Sequence, residues 1–149
     1  MLNYRPILFV LGLVLSKIAL FMYIPTLMAF FTGTSGFIEF GEAVIITHIV
    51  SFILLSLGRT PNFRLGVRDM FLLTTLVWTI SSAFAALPFV FINHISFTDA
   101  YFETMSGITT TGSTVLSGLD NMAPSILLWR STLQWLGGVG FIVMAVAIL

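Results

Sequence analysis

The chain has 149 residues, with six Lys and Arg set against six Asp and Glu and a formal net charge of zero. Hydrophobic residues make up 58% of it and charged residues 8%, where a soluble domain carries about 25% charged residues. These figures describe an integral membrane protein and exclude a nucleic-acid surface, because no basic run is present; the lack of cysteine excludes disulfides and thiolate metal centres.

The first apolar span covers residues 7–31. It has no small-residue cleavage pattern and exceeds a signal-peptide core in length, so it reads as a retained anchor. Lys17 lies inside it, and Pro25 predicts a kink in its outer half. Residues 32–41 form a turn-rich connection. The second span, 43–57, is short for a bilayer, so it either extends back through Phe40 or lies tilted; it carries His48 and Ser51. A polar loop follows at 58–69. The third span is 70–92, with Pro88 near its end, and a turn covers 93–97. Thr98 or Asp99 is expected to cap a helix running to Ser106, which Gly107 would end. At about ten residues, that helix is roughly 15 Å long, half of a bilayer core of about 30 Å. The fourth span is 125–149.

Arg5, Arg59, Arg64 and Arg68 lie in the N-terminal tail and the 58–69 loop. The connections 32–42 and 93–124 contain no Lys or Arg but hold Glu39, Glu42, Asp99, Glu103 and Asp120. The positive-inside rule then places the N-terminus and the 58–69 loop in the cytoplasm. The segment from Thr109 to Ser113 therefore enters from the outer side.

That segment, Thr109-Thr110-Thr111-Gly112-Ser113, is polar and sits between two apolar runs. Unpaired backbone at membrane depth is tolerated only inside protein or along a water-filled path. A ladder of main-chain carbonyls can replace the water shell of a cation, and a loop of Thr and Gly suits such a ladder. No acidic ring lies within 108–114, which favours a monovalent cation. The preceding helix would aim its partly negative C-terminal end at the loop. The plain alternative is an external turn between two spans. The half-bilayer length of 98–107 and its apolar face (Ala100, Tyr101, Met105, with Phe102 adjacent) argue for re-entry. A phosphate loop is excluded, because the Lys-Ser/Thr ending is missing and no G-x-G-x-x-G opens a helix.

The stretch from Phe102 to Asp120 resembles the first pore loop of the Trk-type potassium-uptake family (TrkH/TrkG, in the Trk/Ktr/HKT superfamily). So does Leu127-Leu128-Trp129-Arg130 followed by Gln134-Trp135-Leu136-Gly137-Gly138-Val139-Gly140. Val67-Arg68-Asp69-Met70-Phe71 leading to Ala86-Leu87-Pro88-Phe89 resembles the two ends of that family's third helix. The resemblance implies an all-α integral membrane fold: two peripheral transmembrane helices (1–69) plus one helix–pore loop–helix repeat of a potassium-channel-like fold (70–149). It implies potassium uptake across the bacterial inner membrane, with no catalysis and no cofactor beyond potassium as the transported ion. It implies filter residues Thr109, Thr110, Thr111, Gly112 and Ser113, the ion being held by carbonyls of Thr110 and Thr111, with Gly112 as the filter glycine. Its partners would be membrane lipid, a cytoplasmic TrkA-type nucleotide-binding subunit and, for the complete family member, a second copy. Family members join four such repeats, so one loop is a quarter of a filter. A truncated member is the expectation, with an unusual homotetramer as the alternative.

Two rival functions stand beside that reading. One is a non-conducting structural or assembly fragment. The other is a membrane-embedded hydrolase using His94, Asp99, Glu103 and Asp120, whose spacing is not metal-like. Lys17 either pairs with an ion in the membrane or snorkels to the inner surface. His48 either relays protons or packs between helices. Arg130 either shapes the outer vestibule or braces Glu103 or Asp120; bracing is the expectation, because a cation lining the entry would repel potassium. Gly137, Gly138 and Gly140 permit close helix contact or a hinge. Trp78, Trp129 and Trp135 fit interfacial or packing positions.

Overall fold

The structure is a computed structural model and describes residues 3–148, the backbone alone at 141 and 143–148. Its described residues form six α-helices: α1 (Tyr4–Thr32), α2 (Phe37–Gly58), α3 (Val67–Ala85), α4 (Leu87–Asn93), α5 (Phe97–Ile108) and α6 (Pro124–Ile148). A single 3-10 turn, Leu119–Asn121, precedes α6. Among the described residues, three stretches are long and apolar enough to cross a bilayer: Tyr4–Thr32, Phe37–Gly58 and the combined Val67–Asn93. The protein is therefore a multi-pass membrane protein. The fourth expected span is helical, but the side chains of its last residues lie outside the described ones.

α1 continues as one helix through Pro25 and ends at Gly33, whose φ of 63° is left-handed. α2 starts at Phe37, so the short second span does extend back through Phe40. The two helices pack closely because small residues face the partner backbone. A side chain at Gly58 would bring its Cβ within 2.3 Å of the Phe9 nitrogen. Ser51 donates its hydroxyl to the Gly12 carbonyl at 2.7 Å, deep in this contact.

The third expected span is two helices, not one. Pro88 has no N–H, and its ring crowds the carbonyl four residues earlier, so the ladder breaks at Ala86. The break frees the Ala85 carbonyl inside the protein. Trp129 of α6 satisfies it, donating its indole N–H at 3.0 Å. Trp129 also meets Phe40 of α2 edge-on at 6.2 Å. The core gathers around that ring: Leu15, Met22, Phe40, Ala85, Phe89, Ala100, Ile126 and Leu133 join all the long helices to α5. At the opposite end of the bundle, buried Asp69 accepts the Gly66 N–H at 2.9 Å and the Asn3 N–H at 3.2 Å. This carboxylate caps α3 and ties the start of the chain to it.

Candidate functional site

Ser96, not Thr98 or Asp99, caps α5. Its hydroxyl oxygen accepts the Asp99 N–H at 3.1 Å and its proton goes to the Asp99 carboxylate at 2.8 Å. The cap shifts because Asp99 serves better at the third helical position, where it returns the bond. From there α5 runs for 12 residues, about 18 Å. It buries Ala100, Glu103, Thr104, Ser106 and Gly107.

Gly107 does not end this helix. It is a helical residue packed against Leu133 of α6, where a Cβ would sit 3.4 Å away. The helix ends one residue later, at Ile108, and closes in a Schellman motif. Thr111 donates its N–H to the Ser106 carbonyl at 2.9 Å, and Thr110 donates to Gly107 at 3.0 Å. The left-handed position of this motif usually takes glycine; here Thr110 holds it at φ 59°. A β-branched residue in that region is strained.

After Thr110 the chain runs without regular structure, with Gly112 at φ 79° and open space around its α-carbon. Residues 109–115 are all exposed. The Thr109 hydroxyl donates to Met105 at 2.7 Å and meets the Thr111 hydroxyl at 2.9 Å. Ser106 donates its hydroxyl to the Ser113 carbonyl at 2.6 Å. Among the described residues, nothing donates to the carbonyls of Thr110, Thr111 or Gly112. The Ile108 and Thr109 carbonyls likewise have no donor among the described residues, so the free carbonyls of Thr110, Thr111 and Gly112 belong to a longer run that continues onto an exposed loop fixed on both sides.

Glu103 anchors the far side. Its side chain is fully buried, and its carboxylate accepts from the Thr114 hydroxyl at 2.9 and 3.0 Å and from the Val115 N–H at 3.1 Å. Arg130 of α6 completes the shell, its Nε 2.5 Å from Oε1. Of the two partners expected for Arg130, the structure selects Glu103; Asp120 is exposed in the 3-10 turn. α6 approaches the end of α5 so tightly that a Cβ on Gly137 would lie 1.8 Å from the Ile108 carbonyl. A Cβ on Gly138 would be in ordinary contact range of the Thr110 methyl, and one on Gly140 would meet open space.

The remaining singled-out residues are elsewhere. The His48 ring nitrogen Nδ1 is 3.1 Å from the Val44 carbonyl, and its ring packs on Tyr23. Lys17 borders an apolar cavity of about 420 Å³ between α1, α3 and α6. His94 ends α4, Asp99 serves the α5 cap and Glu103 is held by the loop, so the four hydrolase candidates do not converge. Among the described residues, no three His, Cys, Asp or Glu side chains are grouped to hold a metal. Sequence reasoning assigned no role to Ser106 or Thr114 and no particular partner to Trp129. Ser106 and Thr114 both adjoin the loop, which is a usable signal; the Trp129 contact spans 44 residues, which no local pattern reveals.

A family model described as TrkH, cation transport protein, matches residues 35–149. The potassium uptake protein TrkH of Salmonella typhimurium is 38% identical over 149 residues, covering 99% of this chain and 31% of that protein. TrkI of Halomonas elongata is 40% identical, with 99% and 30% covered. The crystal structure of the potassium transporter TrkH from Vibrio parahaemolyticus superposes with a TM-score of 0.92 at 37% identity, over 98% of this chain and 32% of that one. The chain spans about a third of the length of the curated relatives it matches.

Proposed function

This chain belongs to the TrkH family of cation transport proteins, and from that membership we propose that it supplies one repeat of a potassium-selective permeation path. The ion meets the carbonyls of Thr110, Thr111 and Gly112, with Thr109 and Ser113 flanking them. α5 is the pore helix, and its C-terminal end adds a partly negative field at the loop. α3 and α4 together are the outer helix, α6 the inner helix, and residues 1–69 carry the peripheral pair α1 and α2. The N-terminus faces the cytoplasm of a bacterium, and the loop opens outward. Transport is permeation without bond chemistry. The complete assembly pairs with a TrkA-type regulatory subunit and with a second copy.

The observation that carries this reading is the run of carbonyls without a donor, Thr110 to Gly112 among them, on a loop pinned at both ends. Oxygen atoms left free in that way are what a cation shedding its water requires. One loop supplies a quarter of a fourfold filter, so conduction needs three further loops.

The test is a graft. This chain replaces the matching third of the Escherichia coli TrkH relative, in cells lacking their own potassium uptake. Growth at low potassium is the expected result. Gly112→Ser in the graft should lower potassium preference over sodium, because serine resists the left-handed conformation at that position. A graft that reaches the membrane and restores no growth, or a Gly112→Ser variant with unchanged preference, overturns the assignment.

A further inference from the structure

We infer that the Glu103–Arg130 pair is a specificity determinant of this loop, acting through the placement it gives Thr114 and Val115. The inference rests on the permeation reading above and names what sets its selectivity. Neither side chain reaches the proposed ion path as a ligand. Glu103 is a buried residue of α5, and its carboxylate is fully engaged by Thr114, Val115 and Arg130. Arg130 keeps only 18% of its side chain exposed. Both are therefore positioning residues.

The geometry gives them that leverage. The loop is held upstream by the Schellman bonds at Thr110 and Thr111. It is held downstream by Ser106 on the Ser113 carbonyl and by Glu103 on Thr114 and Val115. The carbonyls of Thr110, Thr111 and Gly112 lie between these anchors. A small cation demands that its oxygens close in; a larger one is satisfied farther out. A loop pinned at both ends resists closing in, which penalises sodium more than potassium. Arg130 keeps the carboxylate aimed, since a buried carboxylate that loses its cation loses the partner that fixes its orientation. Thr114 transmits the restraint twice, because its hydroxyl also accepts the Leu116 N–H at 3.0 Å.

The experiment uses the same graft, with potassium and sodium uptake measured side by side at matched membrane abundance. Arg130→Gln and Thr114→Val should each lower the potassium-to-sodium uptake ratio about tenfold, equivalent to about 1.4 kcal/mol. Arg130→Lys keeps the charge and should fall between those variants and the parent. A purely structural role would depress both ions by the same factor. That outcome, or a ratio within about twofold of the parent, overturns the inference. If Arg130→Gln does not reach the membrane, Thr114→Val alone decides, because it removes one hydroxyl and leaves the ion pair intact. Gly112→Ser separates the two levels. If it shifts the ratio while Thr114→Val and Arg130→Gln do not, the clamp fails and the permeation reading stands; if it too leaves the ratio unchanged, the permeation reading fails.

Discussion

Thr110 and Gly112 both adopt left-handed backbone two residues apart, at φ 59° and 79°. Only one of the two is glycine. Glycine takes this conformation freely, while a β-branched residue held there stores strain. The Schellman bonds of α5 and the Thr109–Thr111 hydroxyl contact over-determine the turn and keep Thr110 in it. Thr110→Gly should therefore stabilise the folded chain by roughly 1 kcal/mol, less what the freer unfolded chain takes back. Reversible unfolding in detergent and SDS mixtures reads this directly. Destabilisation instead would mean that Thr110 contributes packing that outweighs its strain. The residues Thr109 to Ser113 were legible in the sequence as a polar loop in an apolar setting. The strain at Thr110 was not, because a threonine among threonines carries no sign of its φ. Nor was the Glu103–Arg130 pair fixed by spacing, since Asp120 was an equal candidate for Arg130 until the fold placed Glu103 beneath the loop.

Spans are legible to within a few residues because lipid demands uninterrupted apolar helices, and hydropathy records that demand. The break between α3 and α4 is different. Pro88 marks where it falls, but the partner of the freed Ala85 carbonyl lies 44 residues away on α6. No local pattern announces such a contact. Its energetics follow from the unpaired alternative, since a buried carbonyl stripped of its donor costs about 1–3 kcal/mol. Trp129→Phe keeps a ring in the core and loses the N–H, so it should destabilise the chain by about that amount. Pro88→Ala restores an N–H at position 88 and lets α3 and α4 join. Phe89 could then donate to Ala85, and Trp129→Phe in that background should cost distinctly less. A double-mutant cycle measures the coupling; additive effects would show that Trp129 contributes through packing alone. Gly137 makes the complementary point. A glycine in an apolar helix reads as either hinge or contact, and only the Ile108 carbonyl beneath it decides for contact.

Over the whole molecule, apolar side chains face outward as readily as inward. Ile45, Ile49, Phe52, Ile53 and Leu57 of α2 are all exposed. In water such a surface would drive aggregation; in a bilayer it is the solvent boundary, and α2 is stable where it stands. The free carbonyls of Thr110, Thr111 and Gly112 do not fit that boundary. They lie on an exposed face of the bundle, yet lipid offers them no donor. That face must meet an ion path, water or other protein. Purified alone into liposomes, this chain should insert and pass no potassium above the background leak, because one loop leaves a desolvated cation most of its oxygens short. Fluorescent potassium reporters inside the vesicles check this across a range of protein densities. Flux absent at every density fits a filter completed by loops from further repeats. Flux rising steeply, toward the fourth power of density, would instead mean that four copies assemble one filter from identical loops; the Glu103–Arg130 clamp would then recur at all four corners, and its loss would abolish selectivity rather than weaken it.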